Sequence, residues 1–252
     1  MQDNQFQGLE LDHLSPSTVN SFIENKIQFV RNKVLKEPFK GNANMSRGSA
    51  IEHAVNEKFN GDKRAPELIA IERYKALQEN QGWADKPDVE ETIAPIAKVA
   101  WPYYQKIADG KRPKMQQKLN FQSKHLQRPI IGFLDYMFPF GIRDCKVVGR
   151  TPSKLKQSYV IQGAVYSKVF KMPVTFDFFI PMAREVRAVS IPISEEEVRY
   201  GWKYFMKAAK AIESLIETID PTEVMHIMAF PNLEAIWDEE ERKEVAKLYG
   251  LQ

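Results

Sequence analysis

Between Met115 and Val148 apolar and polar residues alternate with a period of two, whereas the segments on either side repeat at helical spacing. A strand and a helix present their apolar faces at different periods, so this change predicts a block of strands set between helices. Met115 to Gln122, Pro129 to Phe138 and Gly141 to Val148 read as three consecutive strands. A helix over about 155–171 follows, then strands over 174–182 and 186–193. Upstream, Ser15-Pro16 opens a helix carrying Val19, Phe22, Ile23, Val30 and Val34 to about residue 35. Ser46 caps a second helix with Ile51, Val55 and Phe59, and two more cover about 66–80 and 89–108, the latter kinked at Pro95 and Pro102. Ser194-Glu195-Glu196-Glu197 is a capping box opening a long amphipathic helix that Asp220-Pro221 ends, and a last helix spans 238–248. The order helix, three strands, helix, strand predicts a mixed α/β core with added helices at both ends.

The chain has 252 residues, 43% hydrophobic and 27% charged, figures that suit a folded chain with a substantial core. A single domain over 1–252 is expected, with its core at about 46–193, a helical insertion at 62–110 and a helical extension at 194–252. The most apolar stretches, Val174 to Met182 and Pro129 to Phe140, fall short of the ~18 residues that a membrane span needs. The polar start, Met1-Gln2-Asp3-Asn4-Gln5, lacks the basic and then apolar pattern of a secretory signal, so a soluble, cytoplasmic protein without membrane contact is expected. The lone Cys145 rules out an internal disulfide and a four-cysteine metal or iron–sulfur site within one chain.

Net charge is only +3, but its distribution is uneven. From Arg143 to Lys171 seven basic residues stand against one acid, Asp144. The chemistry sits at the start of this run. If the second and third strands pair about a turn between Pro139 and Phe140, Asp135 falls opposite Asp144, at the ~4.5–5.5 Å of cross-strand partners. Lys146 shares that face. Two such carboxylates repel unless a divalent cation lies between them, which asks for a hard metal such as magnesium. The turn residue Pro139 fits neither centre of a type I′ turn, and a one-residue slip would send one carboxylate to the opposite face. Spacing alone therefore leaves a second reading open, with Asp135, Asp144 and Lys146 as solvent-facing strand residues.

In these segments the sequence resembles the RecB-like exonuclease branch of the PD-(D/E)XK nuclease superfamily. The matching pieces occur in order: Leu14-Ser15-Pro16-Ser17, Gly48 to His53, Gly132-Phe133-Leu134-Asp135, Asp144-Cys145-Lys146, and Gln162-Gly163-Ala164-Val165-Tyr166. The resemblance implies a restriction-endonuclease-like core and a Mg2+- or Mn2+-dependent deoxyribonuclease. It implies His53, Asp135, Asp144 and the carbonyl of Cys145 as metal ligands, with Lys146 stabilising transition-state charge and positioning or deprotonating the attacking water. Gln162 and Tyr166, four apart on one helix face, would contact DNA or support the site. Arg150, Lys154 and Lys156 would meet phosphates, and Ser15 and Ser17 belong to the same expected DNA-binding set. Tyr136, Tyr159, Tyr166 and Trp202 are aromatics available for stacking on unpaired bases.

The sequence departs from that family at several points. Asn25-Lys26 stands where many relatives place the first cluster cysteine, and Pro221 to Gln252 has none, so no iron–sulfur cluster is expected; Phe230, Trp237 and the last helix would close that region by packing. Met115-Gln116-Gln117-Lys118 stands where a ligand glutamate is common, and no Walker-type loop marks a fused ATPase. The expected function is a stand-alone DNA exonuclease of recombination, repair or phage DNA metabolism, acting in a bacterial or phage-infected cytoplasm, with a recombination or replication protein as a candidate partner. The rivals are a structure-selective endonuclease on the same core and a DNA-binding or assembly protein that has lost catalysis.

Overall fold

The hairpin expected from sequence forms with the expected register: Phe138 pairs with Gly141 across a two-residue turn, Met137 with Ile142 and Tyr136 with Arg143. It is the middle of a five-stranded mixed sheet, in a computed structural model that describes residues 11–34, 36–37, 41–81, 86–218 and 239–248. The strands are β1 (Lys114–Phe121), β2 (Ile130–Phe138), β3 (Gly141–Val147), β4 (Val174–Pro181) and β5 (Val186–Pro192), in spatial order β1-β2-β3-β4-β5. β2–β3 and β4–β5 are antiparallel, and β3–β4 is parallel with Asp144 beside Phe176 and Lys146 beside Phe178. A parallel neighbour requires a crossover, which helix Gln157–Phe170 supplies.

In chain order the described helices are α1 (Pro16–Glu24), α2 (Lys26–Phe29), α3 (Ala43–Phe59), α4 (Pro66–Gln81), α5 (Pro87–Glu90), α6 (Ile93–Ala108), α7 (Gln157–Phe170), α8 (Glu195–Thr218) and α9 (Glu239–Leu248), with a π-helical turn at Val30–Val34. The mixed α/β core of helix, three strands, helix and strand is therefore α3, β1 to β3, α7 and β4. The first expected helix is broken: Asn25 leaves helical geometry, and its side chain accepts from the N–H of Gln28 at 3.1 Å to start α2. α3 starts earlier than Ser46, because Asn42 caps it through the N–H of Met45. The capping box of α8 is present, Ser194 and Glu197 exchanging backbone and side-chain bonds. Asp220-Pro221, Phe230 and Trp237 lie outside the described residues. No described helix is long and apolar enough to cross a membrane.

The described residues gather into two compact units, those within 40–119 and 133–198, and those within 1–39, 120–132 and 199–252. In the second of these, Leu14 bridges Ile130 in parallel, and Arg128 donates its N–H to Glu213 and its Nε to the carbonyl of Leu11. In the first, helices cover both faces of the sheet. On one face Ile51, Val55, Tyr74, Ile96 and Tyr104 from α3, α4 and α6 pack with Tyr136, Phe138 and Phe179. On that same face Arg143 forks onto the buried Asp177, with Nε–Oδ2 at 2.8 Å and Nη2–Oδ1 at 2.5 Å, and Tyr103 also donates to Asp177. This ties β3, β4 and α6 together.

On the other face α7 lies close, because Gly163 permits it. A Cβ there would stand 3.0 Å from Phe176 Cε2 and 3.2 Å from Ile193 Cδ1. Gly163→Val is expected to lift α7 and to cost about 1–3 kcal/mol of stability, read by denaturant unfolding. An unchanged midpoint would mean that the helix has room to move.

Candidate active site

The described pairing of β2 with β3 ends at Tyr136 and Arg143. Carried one residue further, the same register sets Asp135 against Asp144. The strands separate here: the N–H of Cys145, which a regular antiparallel ladder would give to Leu134, goes instead to Asp135 Oδ2 at 2.7 Å. Alternation along both strands turns Asp135, Asp144 and Lys146 toward the α7 face. Of the two readings that spacing left open, solvent-facing strand residues do not describe Asp144, which is 0% exposed.

Asp144 is held from two sides. Its Oδ2 accepts from Gln162 Nε2 at 3.0 Å, and its Oδ1 forms an ion pair with Lys146 Nζ at 2.5 Å without the angles of a hydrogen bond. The Lys146 ammonium also lies 5.6 Å from the ring centre of Tyr159 and 5.9 Å from that of Phe176, a cationic pocket of carboxylate and aromatic faces. Gln162 bonds Tyr166 as well, and Tyr166 donates to the carbonyl of Phe133 at 2.7 Å. The i, i+4 pair on α7 thus ties the far end of β2 to the Asp144 carboxylate.

A third acid joins from α3. Glu52 acts electrostatically on Asp135, and Asp144 and Lys146 act on Glu52. Burial, then the charge of Asp144, raise its carboxyl from 4.5 to about 7 against the pull of Lys146. Burial, then Asp144 and Glu52, push Asp135 well above the ordinary carboxylate range. Burial raises Asp144 too, opposed by Lys146. Burial disfavours the Lys146 charge, but Asp144 and Asp135 more than offset that and keep it an ammonium. Tyr166 is raised by burial and by Asp144, which keeps it a neutral donor. Glu52 also accepts from Gln116 of β1, whose φ of 49° is left-handed inside a strand, a strained backbone for a residue with a Cβ.

Among the described residues His53, the neighbour of Glu52, makes no hydrogen bond or ion pair with Asp135 or Asp144. A helical wheel carried the signal for Glu52, which lies roughly 60° from the centre of the Ile51, Val55, Phe59 stripe, where His53 lies roughly 160° away. Cys145 places its backbone at the junction of the strands. Arg150, Lys154 and Lys156 are exposed on the segment between β3 and α7. Ser15 and Ser17 lie in the other unit, where Ser15 Oγ caps α1 through the N–H of Thr18 at 3.0 Å and bonds Ser17 Oγ at 2.9 Å.

Three carboxylates around one ammonium leave an excess of buried negative charge, and hard oxygen donors suit a hard divalent cation. Asp144 Oδ1, buried and without an aligned hydrogen bond, has capacity for such an ion. Among the described residues no three His, Cys, Asp or Glu side chains converge tightly enough to hold one as they stand, so binding would draw the acids together.

The fold is similar to that of a proposed exonuclease from Eubacterium rectale known from its crystal structure, with a TM-score of 0.59 over 92% of this chain and 88% of that one. Identity is 14%, so the likeness is one of fold. A second solved structure aligns with 73% of this chain and 86% of its own at 10% identity and a TM-score of 0.33, too low to bear on the comparison. No protein-family model and no curated protein matches the sequence.

The folded state binds the Glu52 proton more tightly than the unfolded chain does, so this contribution to stability is full below about 4.5 and is lost as pH rises through about 7. In metal-free buffer the thermal midpoint is expected to fall over that window, and Glu52→Gln to flatten the fall. A slope unchanged by the substitution would place the titration elsewhere.

Proposed function

We propose that the protein is a Mg2+- or Mn2+-dependent deoxyribonuclease acting as an exonuclease. The observation that carries this reading is the group of Asp135, Lys146 and the fully buried Asp144 at the separation of β2 and β3, with Glu52 beside it. Asp135, Asp144, Glu52 and the carbonyl of Cys145 would hold the ion; Glu52 is favoured over His53 because it shares the electrostatics of both aspartates. When bound, the metal supplies a lowered pKa for its water and charge neutralisation on phosphate oxygens.

The residues of the chain do the rest. Lys146, kept protonated by Asp144 and Asp135, is a fixed positive charge for the developing negative charge on the phosphate rather than a base for water. Gln162 holds Asp144 by its Oδ2, and the other oxygen, paired with Lys146, would be shared with the ion. Tyr166 fixes the backbone of β2 beside Asp135. The exposed Arg150, Lys154 and Lys156 would track the DNA backbone, a sequence-independent grip sensitive to salt. A role in recombination, repair or phage DNA metabolism, in a cytoplasm and with a partner protein of that pathway, follows from the resemblance in the sequence.

End-labelled linear single- and double-stranded DNA, incubated with magnesium, manganese or EDTA, tests the proposal. Wild type is expected to release short products with either metal and none in EDTA. Asp144→Ala and Lys146→Ala should each lose at least about 100-fold in rate. Cutting of a closed circle would favour the endonuclease reading, and metal-independent binding without turnover the binding-protein reading. Glu52→Ala losing activity while His53→Ala keeps it would support the ligand assignment, and the reverse would restore His53. Lys154→Ala and Lys156→Ala should each lower the salt dependence of DNA binding by about one unit of slope.

A further inference from the structure

Phe133 is 53% exposed, in the fourth position of a nine-residue strand interior to the sheet. Two other large aromatics are comparably exposed, Phe140 and Tyr200, and each has a ring partner: Phe138 stacks on Phe140 at 5.3 Å, and Tyr204 lies 5.7 Å from Tyr200. Among the described residues Phe133 has none. Its position sets it apart from a scattered surface phenylalanine, which would call for no explanation. Strand alternation puts its ring on the face of Asp135, roughly 6.5 Å along the chain. Its backbone is fixed to the site as well, through the chain of bonds from the Phe133 carbonyl to Tyr166, from Tyr166 to Gln162, and from Gln162 to Asp144.

By contrast, the aromatics that sequence offered for stacking are used otherwise. Tyr136 is wholly buried on the opposite face, Tyr166 is buried and spends its hydroxyl on Phe133, the Tyr159 ring stacks on Phe176 at 5.5 Å, and the Trp202 ring stacks on Phe205 at 6.0 Å. An exposed aromatic face on a backbone tied to the acid cluster matches one feature of a nucleic-acid substrate, the flat face of a nucleobase. A base paired and stacked inside a duplex has no such face to offer.

We propose that the Phe133 ring is the platform on which the base next to the scissile phosphate stacks, so that the strand is taken with that nucleotide unpaired. This rests on the nuclease reading and deepens it by naming the substrate as single-stranded or frayed-end DNA. Phe133 acts here as a positioning residue. Base stacking on an aromatic is sequence-tolerant, as a non-specific exonuclease would require.

The test uses the full chain in EDTA with single-stranded oligonucleotides carrying 2-aminopurine at one end or the other, a base whose fluorescence falls on stacking. Wild type and Phe133→Trp should quench one of the two probes, and Phe133→Ala should not. With magnesium, Phe133→Ala should raise KM for single strands by about tenfold while kcat changes little, and Phe133→Trp should restore KM. Wild type should lose the same factor on an oligonucleotide abasic at that nucleotide, and Phe133→Ala should not distinguish it from the intact strand. Because Phe133 is exposed, the alanine variant is expected to fold, and an unchanged thermal midpoint verifies it. Cleavage and quenching in Phe133→Ala equal to wild type would overturn the platform while leaving the nuclease standing. Phe133-dependent quenching by a protein that cleaves nothing would keep the platform and overturn the nuclease. Failure of wild type to quench either probe would overturn the platform outright.

Discussion

The N–H of Cys145 has two candidate acceptors, a carbonyl of β2 and the carboxylate of Asp135, and it takes the carboxylate. Had the ladder continued, β2 and β3 would lie flush, with both aspartates as ordinary cross-strand neighbours. By ending the ladder at Tyr136 and Arg143, the hairpin leaves room at the sheet for acids. The rest of the unit supports this separation. The Arg143–Asp177 fork fixes β3 to β4 from the face opposite the acids, and α7, brought close by Gly163, holds the near face through Gln162 and Tyr166.

Electrostatically the site is an arrangement that the fold alone does not favour. Three carboxylates brought out of water repel, and the single Lys146 beside them offsets part of that cost. Raised acids and an ammonium held charged are two expressions of the same imbalance. A left-handed Gln116 reaching to Glu52 adds local backbone strain at the same point. Strain and unbalanced charge kept together in one place are characteristic of a functional site rather than of a core optimised for stability.

Much of this was legible in the residues. The period-two run and the count of residues around Pro139-Phe140 predicted the strands and the register, and therefore the juxtaposition of Asp135 with Asp144. Proline at the turn did not shift it, because the neighbouring pairs, with Tyr136 and Phe138 buried, specify register more strongly than turn chemistry does. Glu52 adjoins His53, which the resemblance implies as the ligand, and its angle to the apolar stripe marks it as the more inward of the two. The apolar spacing continues past Asn25 and predicts an unbroken helix there, whereas its side chain caps a new one.

The sequence by itself determined the order of elements, the hairpin and which acids share a face, since strand and helix periods and chain connectivity are local properties. Only the tertiary structure decided that Asp144 is fully buried, that Lys146 lies among its carboxylate and two rings, that Glu52 joins the acids, and that the Phe133 ring stays exposed. Burial and electrostatic coupling depend on what the remaining elements cover. Residues dozens of positions apart, such as Glu52 and Asp144, meet only when helix and sheet pack, and no local period records that meeting.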